Sequence, residues 1–410
     1  MENAVERKRI ELQKLLAPAA LVILYVFFSL FGRNFFGYEG LKQIFQSSYY
    51  IGFMAFGVTF VIITGGIDLS IGTVMMCSAL IGGVAFTVWG WPVWLALLLV
   101  PVVGLFFGLL NGVMIAKAKL PPFIATLGVM LISQGFGSIL SNVRTMHYSP
   151  AYVGDWFRSV FYLYHNIPIG AIWLLGAFAV AFLLLSRTRL GRYTFAIGSN
   201  EEAARLSGVK VDAWKIGIYA ICGLFSGLAG LFFGGAYTTI TPGTGNGEEL
   251  NAIAAVVIGG TSMSGGSGTM AGTLIGVLIM STLKKGLASV GLQAHWQTFF
   301  TGFVVIGAVL LDQMRNRVAT TPRGSRRSVR PAVRRLCLAL QMSGAALVML
   351  ALGGLAQQST RNITAFVRFC MEYSGVLLAG GLALLAVGIV LARRARGAAA
   401  VPADSPGQGT

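Results

Sequence analysis

The chain has 410 residues, of which 55% are hydrophobic and only 11% charged, with a mean hydropathy of +0.75. Ordinary soluble domains carry about 25% charged residues, so two or three soluble domains are excluded and a polytopic integral membrane protein remains. The net charge of +17 is not a nucleic-acid footprint, because the basic residues lie between apolar blocks rather than on one folded face.

The apolar blocks run, in chain order, over 15–31, 50–64, 72–88, 93–116, 123–141, 168–186, 214–237, 252–260, 269–283 and 298–311, and then over 336–355 and 375–392. A full crossing needs about 20 residues, and several blocks are shorter or cut by glycine, so the pattern predicts ten crossings or broken crossings followed by two more. The first block follows Arg7, Lys8, Arg9 and Lys14 without a small-residue cleavage site, which reads as a retained signal anchor. Glycine numbers 54, nearly double the usual share of about 7%. Its small-xxx-small spacings, such as Gly104/Gly108/Gly112 and Gly223/Gly227, predict close helix seams.

Alternating the blocks from a cytoplasmic N-terminus places twenty-three of the 31 basic residues on the inner side. That bias predicts both termini in the cytoplasm. A long aromatic-rich loop, 142–167, then lies outside, and a mixed-charge loop, 187–213, lies inside. Residues 318–335 read as a basic cytoplasmic linker and 397–410 as a disordered tail. Cys77, Cys222, Cys337 and Cys370 are isolated and the three histidines are scattered, so no metal or redox motif is expected.

Two glycine-rich breaks echo one another. Gly65-Gly66-Ile67-Asp68-Leu69-Ser70-Ile71-Gly72 and Gly259-Gly260-Thr261-Ser262-Met263-Ser264-Gly265-Gly266 share the glycine pair, the serine and the closing glycine. Interrupted segments at corresponding places mark the central pathway of duplicated transporters, since unwound backbone survives at membrane depth only in protein or beside a water-filled cavity. This makes Gly66, Asp68, Ser70, Thr261, Ser262 and Ser264 pathway candidates. Asp68 alone of the 14 acids lies deep in apolar sequence; it reads either as a pathway group or as the N-cap of the helix that follows. Asn111, Thr126, Ser133 and Gln134 are further intramembrane polar groups, suited to a neutral hydroxyl-rich solute or to interhelical bonding.

A source of work is not encoded in the chain. There is no GxxxxGK[ST] phosphate loop, and Asp68 is nearly the only candidate for ion coupling. A facilitator or a permease driven by a separate ATPase remains. In the inner loop, Ser199 or Asn200 predicts a cap, Glu201 and Glu202 favour the positive end of a short helix, and Gly208 ends it. Such a helix is a docking piece or a plain surface helix.

The run Gly198-Ser199-Asn200-Glu201-Glu202-Ala203-Ala204-Arg205-Leu206-Ser207-Gly208 resembles the coupling loop of bacterial ABC importer permeases. The stretch from Thr64 to Gly72, Asn111-Gly112, the run from Leu120 to Gly128, and Val257–Gly260 with Gly265–Gly272 resemble the simple-sugar branch, which includes ribose, xylose and galactose permeases. The resemblance covers roughly residues 10–317. It implies an all-α permease domain over 1–317 that dimerises around a central path and works by alternating access. It implies an ATP-binding partner with two fused nucleotide-binding domains, which alone uses ATP, and an extracytoplasmic sugar-binding protein, with the permease in the bacterial inner membrane. It assigns docking to Gly198, Asn200, Glu201, Ala203, Ala204, Arg205 and Gly208. Two helices within 336–396 are an addition to the family pattern. Nucleoside or branched-chain amino acid permeases are the nearest alternatives.

Overall fold

A computed structural model describes residues 2–320 and 373–397. The linker from residue 321 on and the first appended block lie outside the described residues, as does the tail from 398 onward. The described chain is an all-α membrane protein. Among the described residues, six helices are long and apolar enough to cross a bilayer: α2 (Tyr38–Ile63), α4 (Val93–Ala116), α5 (Pro122–Leu140), α8 (Gly170–Arg187), α11 (Val211–Tyr237) and α13 (Met270–Ser289). Around them stand α1 (Glu2–Phe31), α3 (Ile71–Thr87), α6 (Pro150–Val153), α7 (Asp155–Phe161), α9 (Arg189–Ser199), α10 (Glu201–Leu206), α12 (Glu248–Ile258), α14 (Ala294–Thr320) and, in the second appended block, α15 (Ser374–Gly397). At a rise of 1.5 Å per residue, α3 is about 25 Å long and α12 about 16 Å, both short of a 30 Å hydrocarbon core. These are the helices next to the two glycine breaks.

The core is built on α2, whose apolar stretch is almost wholly enclosed. α11, α12, α13 and α8 pack around it. α4 and α11 form the closest helix pair, and glycine is the reason: a Cβ on Gly104, Gly108 or Gly223 would overlap backbone of the facing helix. The predicted seams therefore bring two backbones into direct contact, the arrangement small residues permit in a bilayer. α4, α5 and α8 present broad apolar faces outward, among them Trp94, Phe106, Leu131, Ile139, Ile172 and Leu175.

The aromatic loop folds back on one end of the bundle. β1 (Met146–His147) pairs antiparallel with β2 (Thr239–Ile240), pinning the loop to the chain that leaves α11. Tyr148 is buried and donates its hydroxyl to the Ala79 carbonyl at 2.7 Å. Phe157 of α7 is fully buried, and Phe161 meets Phe232 edge-on at 5.5 Å. At the opposite end, α9 and α10 lie across the mouths of α2 and α11.

Candidate functional site

The first break gathers the interior polar groups. Asp68 is 1% exposed. Its Oδ1 accepts the Ser70 amide at 2.9 Å and the Ser70 hydroxyl at 2.6 Å. Asn111 reaches in from α4 and donates to Ser70 Oγ at 2.9 Å and to Asp68 Oδ1 at 3.5 Å. Thr73 donates to the Ser70 carbonyl at 3.0 Å and receives the Ser133 hydroxyl of α5 at 2.8 Å. Tyr219 of α11 donates to the Ile67 carbonyl at 3.3 Å. Three helices, α3, α4 and α11, are thus tied to one unwound segment by hydrogen bonds, and α5 joins them through Thr73.

Asp68 is not the N-cap of a helix starting at Leu69. The helix begins at Ile71 and its N-cap is Ser70. Asp68 instead turns the chain, accepting the amide two residues on as an Asx turn does. Asn111 Oδ1 is buried with no hydrogen-bond partner among the described residues, so the cluster retains one unused acceptor. Thr126 is buried but bonds its own helix at the Pro122 carbonyl. Gln134 is half-buried on α5, outside this cluster.

The two breaks touch. The Gly266 amide donates to the Ile63 carbonyl at 2.8 Å. A side chain at Gly265 would meet both the Gly65 amide and the Gly198 carbonyl, and one at Gly198 would overlap the Ile63 carbonyl. Gly65 and Gly266 hold φ of +78° and +74°, which side-chain-bearing residues rarely adopt. The end of α2, the tip of the second break and the end of α9 therefore meet backbone to backbone. Ser264 is exposed at this joint and Thr261 and Ser262 are buried beside it, apart from the Asp68 cluster.

The short helix α10 forms as its sequence predicts. Asn200 is the N-cap and accepts the Ala203 amide at 2.9 Å, and Gly208 follows the helix at φ +84°. Its charged residues are anchors: Lys215 binds Glu201 at 2.6 Å, and Arg205 reaches Asp212 at 3.0 Å and Glu201 at 3.4 Å. Lys119, from the α4–α5 connection, also holds Asp212, at 2.9 Å. Partial burial, the largest single influence, pushes the Glu201 carboxyl up, yet Lys215 and Arg205 together pull it below the usual glutamate range. Ala204 is buried against Ile197 and Val211 and seats the helix. The residue that does project is Leu206, 85% exposed. Composition gave no reason to single it out, since only the helix rotation shows which side the anchors leave free.

Asp68 is also not the sole buried acid. Glu249 is 8% exposed, its carboxylate held by the Gly247 amide at 3.1 Å. Glu248 pairs with Lys284 of α13 at 2.5 Å. Both acids sit at the start of α12 and read as loop residues in sequence; Glu249 is buried there and Glu248 half-buried. Between α3, α11 and β2, the crevice lined by Met75, Met76, Ala79, Phe233, Ile240 and Thr244 leaves no room for a water.

The family model described as the branched-chain amino acid transport system / permease component matches residues 40–309. The ribose import permease protein of Bacillus subtilis (strain 168) is 40% identical over 317 residues, covering 76% of this chain and 97% of that protein. The fructose import permease protein of Rhizobium meliloti is 34% identical over 314 residues, covering 74% and 87%. The xylose transport system permease protein of Escherichia coli (strain K12) is 33% identical over 372 residues, covering 76% and 94%. No solved structure matches the chain.

Proposed function

The chain belongs to this family of transport-system permease components, and we propose from that premise that it is the membrane subunit of an ATP-driven importer for a monosaccharide or close polyol. It is a multi-pass membrane protein and a transport subunit rather than an enzyme. The sugar reading is supported by relatives whose names specify ribose, fructose and xylose, and by a break whose polar partners are neutral donors and acceptors.

The observation that carries the mechanism is the joint of Ile63, Gly198 and Gly266. A separate subunit with two fused nucleotide-binding domains binds and hydrolyses ATP and presses on α10 through Leu206, Glu202 and Ala203. The ion pairs of Glu201 and Arg205 make α10 move with α11. Gly198 passes the displacement to both breaks at once, because backbone contacts cannot yield by side-chain rotation. The two halves then rock about the Asp68 cluster and the path opens inward. An extracytoplasmic binding protein delivers the solute at the aromatic-loop face, two copies of the chain pair in the bacterial inner membrane, and both termini face the cytoplasm.

The test is uptake of labelled ribose into vesicles containing the chain with its ATPase and binding protein, against the chain alone. ATP-dependent uptake is expected only with the partners; unaided flux from the chain alone would instead establish a facilitator. The family description favours one other solute class, and competition by leucine rather than by ribose, xylose or fructose would establish it.

A further inference from the structure

One face of α2 carries a polar stripe that the mechanism above does not use. Glu39, Gln43, Gln46 and Tyr50 recur at intervals of four, three and four residues, which places them within about 60° of arc at 100° per residue. They descend about 16 Å from the aromatic-loop end of the helix. Each meets a polar partner. Glu39 pairs with Lys42 at 2.6 Å, and Lys42 reaches Asn166 of the aromatic loop. Gln43 accepts from Lys285. Gln46 donates to the Ala236 carbonyl at 3.0 Å. Tyr50, fully buried, receives Lys284 at 2.6 Å, and Lys284 binds Glu248.

Below Tyr50 the same face turns apolar. Phe53 stacks on Phe232 with ring centroids 4.4 Å apart, and Gly57 is pressed against Phe225 and Cys222. The stripe therefore ends on the Glu248–Lys284 pair, above an aromatic floor.

We propose that this stripe is the entry wall of the permeation path and that Tyr50, Glu248 and Lys284 form its solute site, which takes a neutral polyhydroxyl solute. The assignment deepens the importer reading and rests on it. A single half-buried ion pair would be a weak structural device, since apolar replacements commonly hold a fold as well. A polar stripe leading to it through an apolar helix marks a path.

The chemistry fits hydroxyl groups. Lys284 carries three donors and gives to Tyr50 and Glu248, while Glu248 accepts from Lys284 and Asn251 and its two oxygens offer about four acceptor sites in all. The pair is neutral as a whole, so the site places no net charge against an uncharged solute. Tyr50, Phe233 and Tyr237 cluster around it with centroids 4.6 to 6.0 Å apart and offer apolar ring faces beside the polar groups. Lys284 and Tyr237 remain 32% and 37% exposed, so the site opens toward the end of the bundle from which the stripe descends.

The test uses the full chain in membranes with a membrane-impermeant methanethiosulfonate reagent applied from outside. The variants are Gln43→Cys, Gln46→Cys and Phe53→Cys, and the wild-type chain sets the background. Gln43→Cys and Gln46→Cys should label about tenfold faster than Phe53→Cys, because a buried thiol stays protonated and out of reach. Ribose should slow labelling at Gln46→Cys, and Glu248→Gln should raise the ribose concentration needed to do so. Labelling slowed by leucine but not by ribose overturns the polyhydroxyl assignment. Exposed Gln43→Cys that inserts but fails to label, or Gln46→Cys that labels no faster than Phe53→Cys, overturns the entry wall; ATP-dependent ribose uptake by the wild-type complex would then leave the importer reading standing.

Discussion

The amide of Gly266 donates to the carbonyl of Ile63 at 2.8 Å, joining two glycine-rich breaks that lie far apart in the chain. Ile63 is the last residue of α2, and Gly198 at the end of α9 leaves no space against the same carbonyl. One oxygen is therefore the meeting point of both breaks and of the segment that leads into α10.

A branched side chain at Gly198 must displace that carbonyl, and backbone cannot rotate away. Gly198→Val is expected to lower ATP-dependent uptake by roughly 5- to 150-fold, the range of coupling energies between linked sites. Membrane insertion, followed by the amount of protein in washed membranes, should fall much less.

Leu206 is exposed and packs on nothing that holds the fold, so Leu206→Glu should leave thermal stability within about 0.5 kcal/mol. Burying a leucine contributes about 1.5–3 kcal/mol, and its loss should weaken capture of the ATP-binding subunit by about 10- to 100-fold. Co-purification at graded partner concentrations reads this directly. Ala204→Glu should behave oppositely, destabilising the loop because Ala204 is buried against Ile197 and Val211.

At Asp68 the two substitutions Asn and Ala separate shape from loss of acceptor. Asn keeps an oxygen for the Ser70 amide and hydroxyl, and Asp68→Asn is expected to retain both stability and uptake. Asp68→Ala strands those donors in a buried place, at about 1–3 kcal/mol for each unsatisfied group. Thermal unfolding in detergent measures the difference; lost uptake in a stable Asp68→Asn would instead give the carboxyl a part in the path.

The Glu248–Lys284 pair is accessible to a double-mutant cycle. Lys284→Met leaves Glu248 without its cation and should cost about 1–3 kcal/mol, less than for a fully buried pair because Lys284 is a third exposed. Adding Glu248→Gln should restore part of the lost stability, whereas ribose uptake should stay low in both variants.

Much of the fold was legible because hydropathy acts locally. The block 93–116 coincides with α4, and α11 begins three residues before the block that predicts it. α9 was missed: Arg189, Arg192 and Tyr193 interrupt its apolar residues, so it reads as loop although its buried side rests on the bundle. Asp68 was legible as a buried acid, since no other charged residue lies near it in sequence. Glu249 was not, because it follows a run of Thr, Pro and Gly that normally lies at a surface.

Composition and pattern by themselves determined the membrane class, the positions of both breaks and the capped helix at 201–206, all of which depend on residues within a turn or two of one another. The tertiary structure alone decided that the breaks meet at Ile63, that Leu206 rather than Ala204 projects, and that a polar face of α2 ends on a half-buried ion pair. Those outcomes follow from how each helix is rotated and how closely glycine lets its neighbours approach, and neither quantity is carried by any single stretch of the chain.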